Sequence, residues 1–252
     1  MLCWNLRGGT DAKWDLLRGL HPDVAVLSEA ARAPRRLEAS LLEVAPAWHW
    51  VGLNPAKGLA VATFGADSAV LAPDASGRWS VAARQDALTV VGIWSCPTTG
   101  QYAREVDRAL DAHSRWLDAD RDLIVAGDFN VVGHHGARPG GATARLFARL
   151  DRLGLSSAYH LVRKEALGAE SAPTYFHHRD PSRPFHIDFC FVSRSLRRRL
   201  TDVEVGSFGD WVQPGHSDHC PLVVEFRDTL RRRRSTVERA NQHRLSSGPG
   251  EG

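Results

Sequence analysis

The chain has 252 residues, 43% of them hydrophobic and 24% charged, with a formal net charge of +3. That length suits one or two domains with a substantial core, and the lack of any run of about eighteen apolar residues argues against a membrane-spanning helix. The charge is localised: residues 228–252 hold six arginines and three acids, so the body, 1–227, is formally neutral, which speaks against a broad basic surface for nucleic acid. The opening residues Met1 to Asn5 show neither the charged nor the long apolar stretch of a secretory leader. Four scattered cysteines, Cys3, Cys96, Cys190 and Cys220, read as small buried hydrophobes of a reducing, cytoplasmic compartment, not as a disulfide framework or a CxxC metal site.

Leu2 to Leu6 reads as a strand holding Trp4, with Asn5 near its end, before Arg7-Gly8-Gly9. Thr10 or Asp11 is placed to cap a short helix with Trp14, Leu17 and Leu20 on one face, and Pro22-Asp23 breaks it. Val24 to Leu27 is a buried strand ending in Ser28-Glu29, where the carboxylate is either a turn residue or a ligand. The pattern predicts a surface helix over 32–44, a short strand over 48–51 and a clear strand over 58–64. Val70-Leu71, 78–84 and 87–95 follow as strands with glycine and aspartate turns between them. Consecutive strands imply antiparallel pairing, not a pure βαβ alternation.

Val106, Ala109, Leu110, His113, Trp116 and Leu117 recur at helical spacing, which predicts a helix over 102–117 with His113 packed inside. Next comes Leu123-Ile124-Val125-Ala126-Gly127-Asp128-Phe129-Asn130, a buried strand that ends in an acid and an amide. Residues i and i+2 of an extended chain point the same way, so Asp128 and Asn130 can face one site; they are equally ordinary residues of an Asx turn. A glycine-rich loop over 133–141 carries His134, His135 and Arg138, and a helix follows over 143–153. Thr174 to Phe176 starts a strand, 177–184 is a turn, and His186 to Val192 is an apolar strand with Asp188 inside it. A lone buried carboxylate is costly and needs a partner. The body closes with short strands over 202–205 and 222–226, separated by Gly215 to Pro221. Residues 229–252 read as an Arg-rich disordered tail beyond a domain spanning 1–228.

Isolated polar residues thus end or interrupt four apolar strands: Asn5, Glu29, Asp128 with Asn130, and Asp188. The segment Asp218-His219, a loop between Gly215 and Pro221, adds a fifth group. A carboxylate bonded to an imidazole orients it and favours its protonated form, which pairs Asp188 with His219. Glu29 and Asp218 suit a hard cation, Mg²⁺ or Mn²⁺. Asp128 is placed to orient or deprotonate a water, while Asn5, Asn130 and His219 supply donors to phosphoryl oxygens.

With these residues in this order, the chain resembles the endonuclease/exonuclease/phosphatase superfamily, the fold of exonuclease III-type and DNase I-type nucleases. The matching motifs are Trp4-Asn5, Ser28-Glu29, Gly127 to Asn130, His186 to Phe189 and Ser217 to His219, spanning 4–226. The resemblance implies a four-layer α/β/β/α sandwich of two mixed, mainly antiparallel sheets. It also implies a divalent-metal phosphoesterase in which Glu29 and Asp218 serve the metal. By the same resemblance His219, paired with Asp188, contacts the scissile phosphate, and Asp128, Asn130 and Asn5 serve water activation and phosphate binding. One departure stands out. Many members carry a histidine at the end of the central strand, where this chain has Trp94, so that contact is absent here or comes from His134, His135 or His178.

The leading expectation is a monomeric phosphodiesterase acting on DNA or another nucleic acid, with Trp48, Trp50, Trp94 and Arg138 as sources of stacking and phosphate contacts. The competing expectation is a phosphatase or diesterase for a small molecule or lipid head group, which the neutral body favours. A third, from a different class, is a binding scaffold without catalysis.

Overall fold

The computed structural model describes residues 1–35, 47–64, 68–73, 79–96, 100–133 and 141–227. The helix expected over 32–44, the loop histidines His134 and His135, Arg138 and the segment 229–252 lie wholly or largely outside them.

The first half of the described chain contributes β1 (Leu2–Asn5), β2 (Val24–Ala30), β3 (Ala47–Asn54), β4 (Lys57–Thr63), β5 (Ser68–Pro73), β6 (Ser80–Gln85), β7 (Leu88–Trp94) and β8 (Leu123–Asp128). The second contributes β9 (Leu155–Ser157), β10 (Tyr175–Phe176), β11 (Pro184–Phe185), β12 (Asp188–Ser193), β13 (Leu200–Val205) and β14 (Leu222–Phe226). The helices are α1 (Trp14–Gly19), α2 (Tyr102–Ala112), α3 (Ala142–Arg152), α4 (Ala158–Arg163) and α5 (Arg194–Arg197).

Two six-stranded sheets form, in the orders β13-β14-β1-β2-β4-β3 and β5-β6-β7-β8-β12-β9, and β10-β11 make a separate hairpin. Each large sheet is antiparallel except for one parallel step, β1 with β2 and β7 with β8. The sheets stack face to face. Cys3, Val24, Val26, Leu59 and Val61 of one meet Val81, Val90, Ile124, Ala126, Cys190 and Val192 of the other. The opposite faces are covered too. Leu123, Val125, Phe189 and Phe191 pack under α2 and α3, and Trp4, Ala25, Leu27 and Ala60 pack under α1. This is the expected α/β/β/α sandwich. Strands buried on both faces have no polar alternation, which is why runs such as Leu123 to Gly127 are apolar throughout.

Several local expectations change. The long helix stops at Ala112, because His113 leaves helical geometry and is buried against Ser80 Oγ, 3.1 Å from its Nε2; a 3₁₀ turn, Ser114–Trp116, continues the chain. Thr10 does not cap α1; its hydroxyl accepts the Ala31 N–H at 2.8 Å and ties the segment after β1 to the end of β2. The strand expected over 48–51 extends over all of β3. The segment β9-α4 had no periodic signal of its own, since three residues pair on the edge of a sheet. Three of the four cysteines are buried and all four are free, but Cys96 is exposed.

Gly127 is the tightest point of the site-bearing strand. Its φ of +145° is open to glycine, and a Cβ there would lie 1.8 Å from the Ile93 carbonyl oxygen. We expect Gly127→Ala to destabilise the protein by on the order of 3 kcal/mol or more, at the upper end for single substitutions, read as a lowered midpoint in urea denaturation.

Candidate active site

The alternation of strand residues sets the site. Ile124 and Ala126 face the layer between the sheets, so Asp128 does as well; Cys190 and Val192 bring Asp188 to that layer, and Cys3 brings Asn5. All three carboxylate or amide side chains therefore reach one end of the inter-sheet layer. The ladders fix their relative heights: Asp188 pairs with Asp128 across β12 and β8, Trp94 pairs with Asp128 across β7 and β8, and Asn5 pairs with Ser28 across β1 and β2.

Glu29 would face the wrong way if β2 stayed regular, because Ser28 holds the inward position. The β2–β4 register shifts between Leu27 and Ala30, and Glu29 takes a left-handed φ of 55°. This bulge re-aims the carboxylate. Trp48 and Trp50 bracket the turn, their indole N–H groups donating to Ala31 O at 3.2 Å and Ala30 O at 3.0 Å. These tryptophans are structural clamps. Trp94, unlike the partly buried Trp48 and Trp50, is buried and edge-on to Trp79 at 4.8 Å, so it offers no open face for stacking.

Asn130 also has a left-handed φ, 51°. Its N–H donates to Asp128 Oδ1 at 3.0 Å and its amide donates to Ser95 O at 3.0 Å. The turn and the site are thus the same object, an Asx turn at the mouth, and not an extended pair. Asn5 Nδ2 donates to Asp128 Oδ2 at 2.9 Å and lies 3.4 Å from Glu29 Oε1. Both its amide hydrogens are engaged by carboxylates, so Asn5 spaces Asp128 from Glu29.

His219 Nδ1–H donates to Asp188 Oδ2 at 2.8 Å, and both residues are buried. Thr174 holds Asp188 by accepting its N–H and that of Ile187, each at 3.0 Å. The Ser217 hydroxyl donates to Asn5 O at 2.7 Å and accepts the His219 N–H at 3.1 Å. Trp4 Nε1–H donates to His219 O at 2.9 Å. The loop carrying Asp218 and His219 is thereby stitched to β1.

Burial pushes the Asp128 carboxyl up, the facing Asp188 charge adds to this, and His219, Asn5 and the Asn130 N–H oppose it, leaving it at about 7. Burial alone would lower the His219 imidazole, but the negative charges of Asp188, Asp128 and Asp218 and the Asp188 hydrogen bond prevail and raise it to about 9. Near neutrality the site holds a poised carboxylate beside an imidazolium.

The ligand atoms of Asp128, Asp188 and His219 lie within 4.8 Å of one another, close enough to share a cation. Their hydrogen bonds argue for another use: Asp188 Oδ2 is taken by His219, the imidazole favours its protonated form, and both Asp128 oxygens accept N–H groups. Glu29 and Asp218, the expected metal ligands, lie outside that group of three, in which Asp188 Oδ1 is also buried without a hydrogen bond. Glu29 Oε2 is buried and makes no hydrogen bond, although Lys57 Nζ stands 2.9 Å away off the bonding direction. Asp218 is mostly buried and pairs with Arg7 Nε at 3.2 Å. Hard oxygen donors of this kind suit Mg²⁺ or Mn²⁺.

The structure adds residues the sequence did not signal. The Tyr175 ring lies 4.6 Å from the His219 ring, and its hydroxyl bonds His177 Nδ1 at 2.9 Å; it reaches the site only through an isolated bridge between the two backbones. His178, one of the histidines the sequence offered for a phosphate contact, is exposed at the hairpin tip, its ring tilted against His177 at 4.0 Å. A cavity of about 550 Å³ adjoins Asn130 and runs past Val132 to Arg104 and the first residues of α2 and α3.

The sequence profile of the Endonuclease/Exonuclease/phosphatase family matches residues 2–219. No curated protein matches the sequence significantly. Among solved structures, the 3′ phosphatase NExo from Neisseria bound to a product DNA hairpin is 20% identical, with a TM-score of 0.71 over 89% of this chain and 98% of that one. An AP endonuclease from Archaeoglobus fulgidus is 16% identical, with a TM-score of 0.72 over 89% and 98%. The endonuclease domain of TRAS1, a telomere-specific non-LTR retrotransposon, is 19% identical, with a TM-score of 0.61 over 90% and 96%. At these identities the likeness is one of fold. Among the described residues no helix is long and apolar enough to cross a membrane.

The His219 imidazole gives a direct test of the site's electrostatics. Its folded value lies above the ordinary one, so the stability it contributes with Asp188 is full below pH 6.5 and is lost as pH rises through about 9. We expect its ring protons in the metal-free protein to titrate near 9 by NMR, and Asp188→Asn to move that midpoint downward.

Proposed function

The chain belongs to the endonuclease/exonuclease/phosphatase family of phosphate-ester hydrolases, and from that premise we propose that it is a Mg²⁺- or Mn²⁺-dependent phosphodiesterase that hydrolyses P–O bonds of nucleic acid by in-line attack of an activated water. The observation that carries this reading is the cluster of Asp128, Asp188 and His219, a buried base and a buried imidazolium within 4.8 Å. Glu29 and Asp218 would hold the metal, which supplies Lewis-acid polarisation of a phosphoryl oxygen when bound.

The chain's own groups do the rest. Asp128, poised at about 7, orients a water and takes its proton. His219, anchored through Nδ1 by Asp188, presents Nε2–H to a phosphoryl oxygen whose charge grows in the transition state. Asn130 commits one amide hydrogen to Ser95 O and keeps a second for the phosphate. Asn5 is a positioning residue that keeps Asp128 and Glu29 apart. The catalytic unit is residues 1–228, and the Arg-rich 229–252 is a separate tail. The cavity beside Asn130 gives a substrate strand a path toward Arg104.

A second reading, a phosphatase for a small molecule or lipid head group, is favoured by one observation: the formally neutral body. A substrate panel separates the two. With Mn²⁺ or Mg²⁺, we expect single-stranded or abasic duplex DNA, or RNA, to be cleaved faster than small phosphomonoesters and diesters; the reverse order supports the second reading, and no hydrolysis of any ester supports a scaffold. Asp128→Asn and His219→Ala should each lower kcat by about a hundredfold or more, and retained activity in both would overturn the roles given them. Arg104→Ala should raise KM for DNA several-fold and flatten its dependence on salt while leaving kcat nearly unchanged.

A further inference from the structure

Two basic side chains stand against the two carboxylates that suit a metal. Arg7 Nε lies 3.2 Å from Asp218 Oδ2, and Lys57 Nζ lies 2.9 Å from Glu29 Oε2; both cations are about half exposed, at 49% and 48%, while the acids are mostly covered, at 17% and 16%. Lys57 is the more informative of the pair. The oxygen it faces is buried without a hydrogen bond, so the ammonium charge is what offsets that burial. The same ammonium lies 6.0 Å from the centre of the Trp94 ring.

The base of Lys57 is firmly held. It opens β4 at the tip of the β3–β4 hairpin, opposite Asn54. Asn54 Oδ1 accepts the Ala56 N–H at 3.0 Å, and Pro55 O accepts the Arg32 N–H at 2.7 Å, which ties the tip to the segment following Glu29. The next residue, Gly58, is covered by Trp50 so closely that a Cβ would lie 2.3 Å from the indole. A long flexible stem thus rises from a fixed root, and only its end is free to move.

A divalent cation on Glu29 and an ammonium 2.9 Å from the same carboxylate repel each other and compete for its negative charge. We infer that Lys57 is the resident counter-ion of Glu29, that a divalent metal binds by displacing it, and that the displaced ammonium then serves as an anion-binding group beside the metal. Metal and phosphate consequently bind cooperatively, because phosphate gives the released cation a new partner. This rests on the reading of Glu29 as a metal ligand.

The test is Mn²⁺ binding to the full chain, followed by electron paramagnetic resonance of the free ion, with and without inorganic phosphate. Glu29→Gln examines the underlying reading: it should weaken Mn²⁺ binding, and unchanged binding would remove the metal site and this inference together. Given that weakening, Lys57→Met should tighten Mn²⁺ binding in the absence of phosphate by roughly two- to fivefold, the range that loss of a partly exposed ion pair allows. Phosphate should tighten Mn²⁺ binding to the wild type and have little effect on Lys57→Met. Lys57→Gln, with matched thermal melting, guards against a folding defect. Unchanged or weaker Mn²⁺ binding in both Lys57 variants, with Glu29→Gln still impaired, overturns the exchange while leaving the metal site standing.

Discussion

Two buried carboxylates face each other across one antiparallel ladder, Asp128 on β8 and Asp188 on β12. Like charges placed directly opposite are unfavourable even at a surface, and burial raises the cost. The surroundings are arranged around that repulsion. One proton on His219 sits against Asp188, Asn5 and the Asn130 backbone donate to Asp128, and Thr174 fixes the start of β12. What results is an acid held near neutrality beside a base held protonated, which is the opposite of what either side chain does in water. Reactive groups of this kind need a rigid frame, and the two stacked sheets provide it.

The two sheets are built alike. Each has one parallel step flanked by antiparallel pairs, and in each a C-terminal end of a parallel strand delivers polar groups to the mouth: Asn5 and Glu29 from one sheet, Asp128 from the other. Strand ends at a break in sheet order are where open α/β folds place ligands. Here two such ends meet. Three residues at or beyond these strand ends, Arg7, Glu29 and Asn130, carry left-handed backbones. Each such residue costs about 1 kcal/mol or more, which hydrogen bonds such as Asn130 N–H to Asp128 and Arg7 N–H to Asn5 offset at the mouth.

Much of this was legible from the chain alone. Apolar runs buried on both faces marked β2, β8 and β12, and the isolated acids within or after them marked the site, because a carboxylate in such a run is costly without a purpose. The order of five short motifs then identified the fold. What was not legible depends on contacts distant in sequence. Glu29 reaches the site through a bulge, which alternation by itself would have sent to the other face. Tyr175 arrives by pairing with His219, and nothing in Thr174 to Phe176 foretells that pairing. Lys57, which carries no signal in the sequence, meets Glu29 only once the β3–β4 hairpin has formed. Trp94, expected to leave a gap in phosphate contacts, fills the core between the sheets with its ring, so the contacts at the mouth must come from other residues.

The stitching of the last loop to the first strand has a consequence for when the site exists. Trp4 is joined to His219 across 215 residues and Asn5 to Ser217 across 212, and β1 pairs with β14. A chain still being made holds Asn5, Glu29 and Asp128 long before it holds the imidazole, and Asp188 31 residues before it. Contacts of such sequence separation form late. During synthesis the Asp188–His219 pair and the β1–β14 ladder can therefore form only when almost the whole described body has emerged.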